Sequence, residues 1–253
     1  MTLLNKLTSL YFPPHNFVRY EEILRAAQEA GYSIISLNQF VEGEYREPFM
    51  ILRHDIDTDP KAALLFAEIE SRYRAGASYF FRLCTWNDKV IKALDHRDFE
   101  IGYHYEESTT YAKRHHIKEG NQLRSHFPEI RKDFARNLSE LRRRSGLRLE
   151  AIASHGDIAT VVLDLGNEEA MLDSAIREAC GIKYEAYDPP IWEGYKNHLS
   201  DNRYPPYFKP ESPLELISRG ESFLFLTHPR WWRCELSSNL KTDLRMLWQK
   251  LWY

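Results

Sequence analysis

Cysteine is scarce in this chain and shows no pattern. Cys84, Cys180 and Cys234 are scattered and odd in number, so neither a disulfide framework nor a paired-thiolate zinc motif is expected. All three read as small buried side chains. Long hydrophobic runs are missing as well: no uninterrupted apolar stretch approaches the roughly 20 residues that a membrane helix needs. The opening Met1-Thr2-Leu3-Leu4-Asn5-Lys6 lacks an apolar h-region with a small-residue cleavage site, so a cytoplasmic protein that does not span a membrane is expected. Charge of one sign does not dominate. The net charge is −3, which leaves no electrostatic footprint for nucleic acid, and the run Arg142-Arg143-Arg144 reads as the solvated end of a helix. There is no repeat, low-complexity tract or Gly/Ser linker to mark a boundary. The 253 residues therefore read as one large domain with an N-terminal helical extension over about residues 1–45.

Against these absences stand four apolar runs that each stop on a histidine or an aspartate. They are Phe49–Leu52 into Arg53-His54-Asp55-Ile56-Asp57, Phe99–Tyr103 into His104, Leu149–Ser154 into His155-Gly156-Asp157, and Phe223–Thr227 into His228-Pro229. Short apolar runs bounded by turn residues read as buried strands. Further strands are expected at 78–83, 182–186 and 195–199, which makes seven. Helices are expected at 18–30, from Asp59-Pro60 to Tyr73, at 87–94, 122–145, 168–179, 213–218 and 237–252. The longest, Gln122–Ser145, repeats Leu123, Phe127, Ile130, Phe134, Leu138 and Leu141 at spacings of three and four, a core-facing stripe. Asp188-Pro189-Pro190 and Tyr204-Pro205-Pro206 read as loops. Strands alternating with helices predict an α/β fold with a parallel sheet or barrel. In such folds the polar strand ends gather on one face, where the chemistry is done.

The chemistry starts at Asp55 and Asp57. Two apart on a strand, they face the same side about 7 Å apart along the chain. Paired carboxylates can divide labour, one holding a cation and the other taking a proton from water; the plainer reading is a helix cap and a turn before Pro60. His104 ends its strand as a neutral-imidazole ligand candidate. His155 sits before Gly156, which lets the backbone turn sharply. His228 is the candidate proton donor.

At these positions the chain resembles the polysaccharide deacetylase superfamily, the NodB-homology domain of carbohydrate esterase family 4. Asp55 and Asp57 match its strand-closing Asp pair, Glu100-Ile101-Gly102 with His104 its second motif, and Leu226-Thr227-His228 its last. Leu199-Ser200-Asp201-Asn202 is similar to its late Asp-containing segment, which supports the catalytic groups. The resemblance covers roughly Pro48 to Pro229 and implies a distorted seven-stranded (β/α) barrel. It implies Asp55 as base, His228 as general acid, and a divalent metal, zinc or a similar ion, on Asp57 and His104. One departure matters. Ser108 stands four residues after His104, where the family has its second metal histidine, and hydrolytic zinc normally keeps three protein ligands plus water. His155 is the first choice for the third ligand and Glu106 the second.

The variant Arg-His-Asp-Ile-Asp with Tyr-His-Tyr-Glu resembles a subgroup associated with surface-polysaccharide biosynthesis, such as lipopolysaccharide and O-antigen. The implied activity is metal-assisted removal of an N-acetyl group from a cytosolic sugar or glycan precursor. Arg53, Asp201, Trp231 and Trp232 are expected on the substrate side: Trp192, Tyr195, Tyr204, Tyr207, Trp231 and Trp232 crowd the loops near the site, aromatic faces suit sugar C–H surfaces, and Trp231 and Trp232, beside His228, come first. Two other readings remain open: a hydrolase of another amide, and a non-catalytic carbohydrate-binding remnant of the fold. The oligomeric state is not set by the sequence.

Overall fold

The computed structural model describes residues 16–201, 207–233, 235–237, 239–241 and 244. Nine strands make one sheet among them: β1 (Ser33–Ile35), β2 (Phe49–Ile56), β3 (Ser78–Phe81), β4 (Glu100–Tyr105), β5 (Ala151–Ser154), β6 (Tyr184–Glu185), β7 (Asn197–Asp201), β8 (Phe208–Lys209) and β9 (Phe223–Thr227). Their order is β6-β5-β4-β3-β2-β9-β7-β8, with β1 paired to β2 off this path. Every pairing is parallel except β7–β8. All seven expected strands are present, and β1 and β8 are additional. Among the described residues no pairing joins β6 to β7 or β8, and the sheet they form is mostly parallel. No helix of the described residues is long and apolar enough to cross a membrane.

Strand β2 shows why the sheet is central. All eight of its residues are buried, the mark of a parallel strand covered on both faces. Side chains alternate faces along a strand. Phe49 and Ile51 therefore join one core with Phe80, Ala151, Ala153 and Leu224. Met50, Leu52 and Ile56 join the other, larger core with Phe66, Phe223 and Phe225 under the helices. The same alternation sorts the polar residues that follow. Arg53 and Asp55 continue the Phe49–Ile51 face, while His54 turns toward helix Ala62–Tyr73 and meets Glu70.

Gly102 on β4 is the tightest point of that inner face. A Cβ there would lie 2.4 Å from the Phe80 ring and 2.9 Å from the Ala151 carbonyl oxygen. Gly102→Ala should therefore lower stability by about 1–3 kcal/mol through overpacking, read as a lower denaturation midpoint. An unchanged midpoint would mean that β4 can shift to make room.

Four regions differ from expectation. The helix expected over 122–145 is two, Gly120–Arg124 and Phe127–Ser145. Pro128 lacks the N–H that a continuous helix would use and instead takes the first turn of the second one. The region 168–179 is likewise a 3-10 turn, Asn167–Met171, followed by helix Ser174–Ala179. Pro189 and Pro190 open a short helix, Pro189–Trp192, for the same N-terminal reason. The segment expected as a helical extension contributes helix Phe17–Glu29 and also β1, which enters the sheet beside β2. Residues 1–15, the loop at Tyr204-Pro205-Pro206 and most of the helix expected over 237–252 lie outside the described residues.

Candidate active site

The parallel sheet brings the expected polar ends to one edge, as parallel strands must. On β2, Arg53 grips Asp55 through two hydrogen bonds of 2.9 Å, Nε to Oδ1 and Nη2 to Oδ2. The guanidinium is 1% exposed. It also donates to the Tyr187 hydroxyl at 3.0 Å and lies over the rings of Tyr187 and Phe80. Burial alone would raise the Asp55 pKa. The Arg53 charge, with His104 and His228, reverses that and holds the carboxyl well below its usual range. Arg53, expected on the substrate side, is engaged through Nε and Nη2 with Asp55 and Tyr187.

Asp57 follows the end of β2, where its N–H bonds back to the Asp55 carbonyl at 2.9 Å. That tight turn keeps both carboxylates on one side. His104 Nε2 lies 3.5 Å from Asp55 Oδ2 and 3.5 Å from Asp57 Oδ1. His155 Nε2 is also 3.5 Å from Asp57 Oδ1. Asp57, His104 and His155 thus offer three ligand atoms within 4.8 Å of one another. The Nδ1–H of His104 donates to the Ala153 carbonyl at 2.9 Å. This partner sets the tautomer and turns the Nε2 lone pair toward the carboxylates. Burial lowers the His104 pKa against the pull of Asp55 and Asp57, which favours the neutral, ligating form.

These residues fit a metal ion. Asp57 Oδ1 is buried and accepts no hydrogen bond, an expensive arrangement for a carboxylate oxygen left alone. Ligands bound at about 2.0–2.1 Å in a tetrahedron sit roughly 3.3–3.4 Å apart, close to the separations found. Between the two candidates for the third ligand, the geometry brings in His155. Glu106 is held by Arg82 at 3.2 and 2.5 Å. Against burial, His155 and Arg82 together keep its carboxyl ionised. Its Oε2 lies 3.4 Å from His155 Nδ1, so Glu106 backs the imidazole.

Across from the carboxylates, His228 follows β9. Its Nδ1–H donates to Asp201 Oδ1 at 2.7 Å, and its backbone N–H to Asp201 Oδ2 at 2.6 Å. The indole Nε1–H of Trp232 takes the same Oδ2 at 2.7 Å. Burial disfavours the imidazolium, but the Asp201 charge and hydrogen bond, then Asp57 and Asp55, push its pKa up to about 9. At neutral pH the ring is therefore charged, with Nδ1 held and Nε2–H left to give. Asp201, expected on the substrate side and in a segment that the resemblance has supporting the catalytic groups, holds His228. Trp232 is 3% exposed and packs against Phe66, Phe225 and Tyr20, which leaves no ring face for a sugar. Trp231 is partly buried and stacks under Arg230 at 4.8 Å.

Arg82 and Tyr187, not singled out in the sequence, complete the arrangement together with Trp192. Arg82 follows β3 much as His104 stands one residue before the end of β4, so the same rule of polar strand ends could have found it. Tyr187 stands beside the site with Trp192, ring centroids 5.4 Å apart; only the tertiary fold places Tyr187 there.

No protein-family model and no curated protein matches this chain. Among solved structures it is similar to a CE4 family pseudoenzyme from Bacillus anthracis, at 13% identity and a TM-score of 0.43, over 81% of this chain and 62% of that one. A mutant of that pseudoenzyme with restored enzymatic activity is similar to the same degree, with 13% identity, a TM-score of 0.43, and 81% and 64% of the two chains covered. This chain therefore spans less than two thirds of the length of those structures.

Proposed function

We propose that the chain is a metal-dependent hydrolase that removes an N-acetyl group from a sugar. The observation that carries this reading is the buried, unpartnered Asp57 Oδ1, flanked at 3.5 Å by His104 and His155 and sharing its site with Asp55 and His228. Asp57, His104 and His155 would hold the ion, with zinc the first candidate. When bound, such an ion polarises a carbonyl and lowers the pKa of water. The remaining work falls to the protein. Asp55, oriented by Arg53 on both oxygens, takes the proton of the attacking water. His228, held at Nδ1 by Asp201, gives its Nε2 proton to the departing amine. The motif order supports the distorted seven-stranded barrel of the carbohydrate esterase family 4 deacetylases as the parent architecture. The substrate in this reading is a cytoplasmic glycan precursor of surface polysaccharide such as lipopolysaccharide.

The test is elemental analysis joined to an acetate-release assay on N-acetylated sugars. Wild-type protein should carry about one zinc-like ion per chain, and His155→Ala and Asp57→Asn should lose it. Asp55→Asn should keep the ion and lose roughly 10²–10⁴ in turnover, the usual range for a general base. If wild-type protein stays metal-free after the ion is added back, the hydrolase reading fails and a sugar-binding remnant takes its place. Turnover confined to amides that are not sugars would keep the chemistry and overturn the substrate.

A further inference from the structure

Strand β6 is only two residues long, Tyr184–Glu185, yet its second side chain is bound at both oxygens. Glu185 is 1% exposed. Its Oε1 accepts the Ser154 N–H at 2.7 Å and its Oε2 the Tyr187 N–H at 2.6 Å. Charge-assisted bonds of this kind are the strong ones, and a buried carboxylate without them would be costly. Both donors lead to the active edge. Ser154 closes β5 and immediately precedes His155. The Tyr187 hydroxyl accepts from Arg53 Nη2 at 3.0 Å, and its ring lies 4.5 Å from the guanidinium carbon. Arg53 in turn holds Asp55.

The turn that carries Tyr187 is fixed on both sides. The Glu185 N–H donates to Asp188 Oδ2, and the Asp188 N–H returns to the Glu185 carbonyl, each at 2.9 Å. Arg177 Nη1 grips both Asp188 oxygens at 2.7 and 2.8 Å. Within that turn the Glu185 carboxylate holds the Tyr187 peptide itself. The groups that face Glu185 are Arg53 from β2, Tyr105 from β4, and Tyr187 and Asp188 from the turn. Burial, opposed by the Tyr187 N–H, Arg53 and the Ser154 N–H, pushes its pKa up to about 7.

We infer that Glu185 is a positioning residue for the base: by fixing the Tyr187 peptide it places the hydroxyl and ring that keep Arg53 against Asp55. The inference rests on the hydrolase reading for the role of Asp55. A protonated Glu185 accepts more weakly and loses the charge that faces Arg53. The hold on Asp55 should therefore loosen as pH falls through about 7. Neither Asp55, kept well below the usual carboxylate range, nor His228, at about 9, titrates there.

NMR of the Arg53 Nε–H, assigned by its loss in Arg53→Lys, reads that hold without turnover. In wild-type protein the signal should shift with a midpoint near pH 7, a titration that needs no variant to fold. Glu185→Gln keeps one acceptor oxygen and turns its NH₂ toward the other N–H. It should displace the signal and abolish the midpoint. Tyr187→Phe removes the hydroxyl and should displace the signal too, and the double variant should displace it by less than the sum, as members of one network do. In an acetate-release assay on N-acetylated sugars, Glu185→Gln should lower kcat about 10–100-fold, the usual cost of an outer partner. KM should stay unchanged, and the acid limb near pH 7 should disappear. A wild-type signal without that midpoint, or one that Glu185→Gln leaves in place, overturns the proposal. So does full turnover in Glu185→Gln. A signal that responds as expected, in a protein that releases no acetate from any N-acetylated sugar, would keep the link from Glu185 to Arg53 and sink the hydrolase reading.

Discussion

Asp201→Asn is expected to reduce turnover by about 10²–10⁴, the range that a misdirected general acid costs, and to pull its alkaline limb down. The carboxylate makes three hydrogen bonds, from His228 Nδ1, His228 N and Trp232 Nε1. It is the main force opposing burial in raising the His228 pKa to about 9. A general acid must be protonated, so wild-type activity should persist until the pH rises through about 9 and then fall. An amide at 201 keeps one acceptor oxygen, loses the charge, and can present its NH₂ to the ring and favour the wrong tautomer. The limb should then move toward the ordinary histidine value of about 6.5. Stability gives an independent check with a definite sign. A histidine whose folded pKa is raised contributes stability that is fully present below its unfolded value and is lost as pH rises through the folded one. Wild-type protein should therefore lose part of its unfolding free energy between about pH 6.5 and 9, and Asp201→Asn should lose less over that window. An alkaline limb that stays where it was would assign the acid to another group.

That prediction depends on a residue whose place and supporting role the resemblance implied, while its partners were not legible. The sequence marked Asp201 through its similarity to a late Asp-containing segment, yet its partners come from a strand and a turn some 27–31 residues later. Apolar runs and their terminal residues were readable because burial and strand alternation act locally. They located β2, β4, β5 and β9 and put Asp55, Asp57, His104, His155 and His228 at one edge. What periodicity does not carry is which side chain a long polar residue prefers once several are buried together. Arg53 read as a substrate contact because it borders the site, but a buried guanidinium needs a carboxylate, and Asp55 is two residues away on the same face. Trp232 read as a sugar platform because it follows His228; the 3-10 turn at Pro229–Trp231 swings it into the helix-side core instead. Trp192, six positions before His198, stood among the loop aromatics but behind Trp231 and Trp232, because only the tertiary fold stacks its ring on His198 and sets it beside His155. Whether the sheet closes depends on edge pairing between distant segments, which local pattern does not encode.

Behind the active edge, Glu70→Leu is expected to cost about 3–5 kcal/mol of stability, the usual penalty for breaking a buried polar pair from one side. Glu70 is 0% exposed and accepts from three buried donors: Tyr20 at 2.6 Å, His54 Nε2 at 2.7 Å, and the Tyr79 hydroxyl. The other ring nitrogen of His54 meets the Thr227 hydroxyl at 2.6 Å. Leucine would fill the space but leave those donors without an acceptor in a region that water does not reach, at about 1–3 kcal/mol for each one that cannot find another partner. Glu70→Gln should be milder. Its amide oxygen still accepts, and a tyrosine hydroxyl can turn to receive from its NH₂. The double variant His54→Leu/Glu70→Leu should be less destabilised than the sum of the single changes, since it removes a donor with its acceptor. Denaturant titration of the four proteins decides this, and a Glu70→Leu protein within about 0.5 kcal/mol of wild type, the size of an ordinary surface change, would refute it. The consequence reaches function through the backbone. His54 immediately precedes Asp55, and Thr227 immediately precedes His228, so one buried imidazole ties together the two strands that present the base and the acid. Glu70→Gln should accordingly lower turnover while leaving the metal content unchanged, because Asp57, His104 and His155 take no part in that tie.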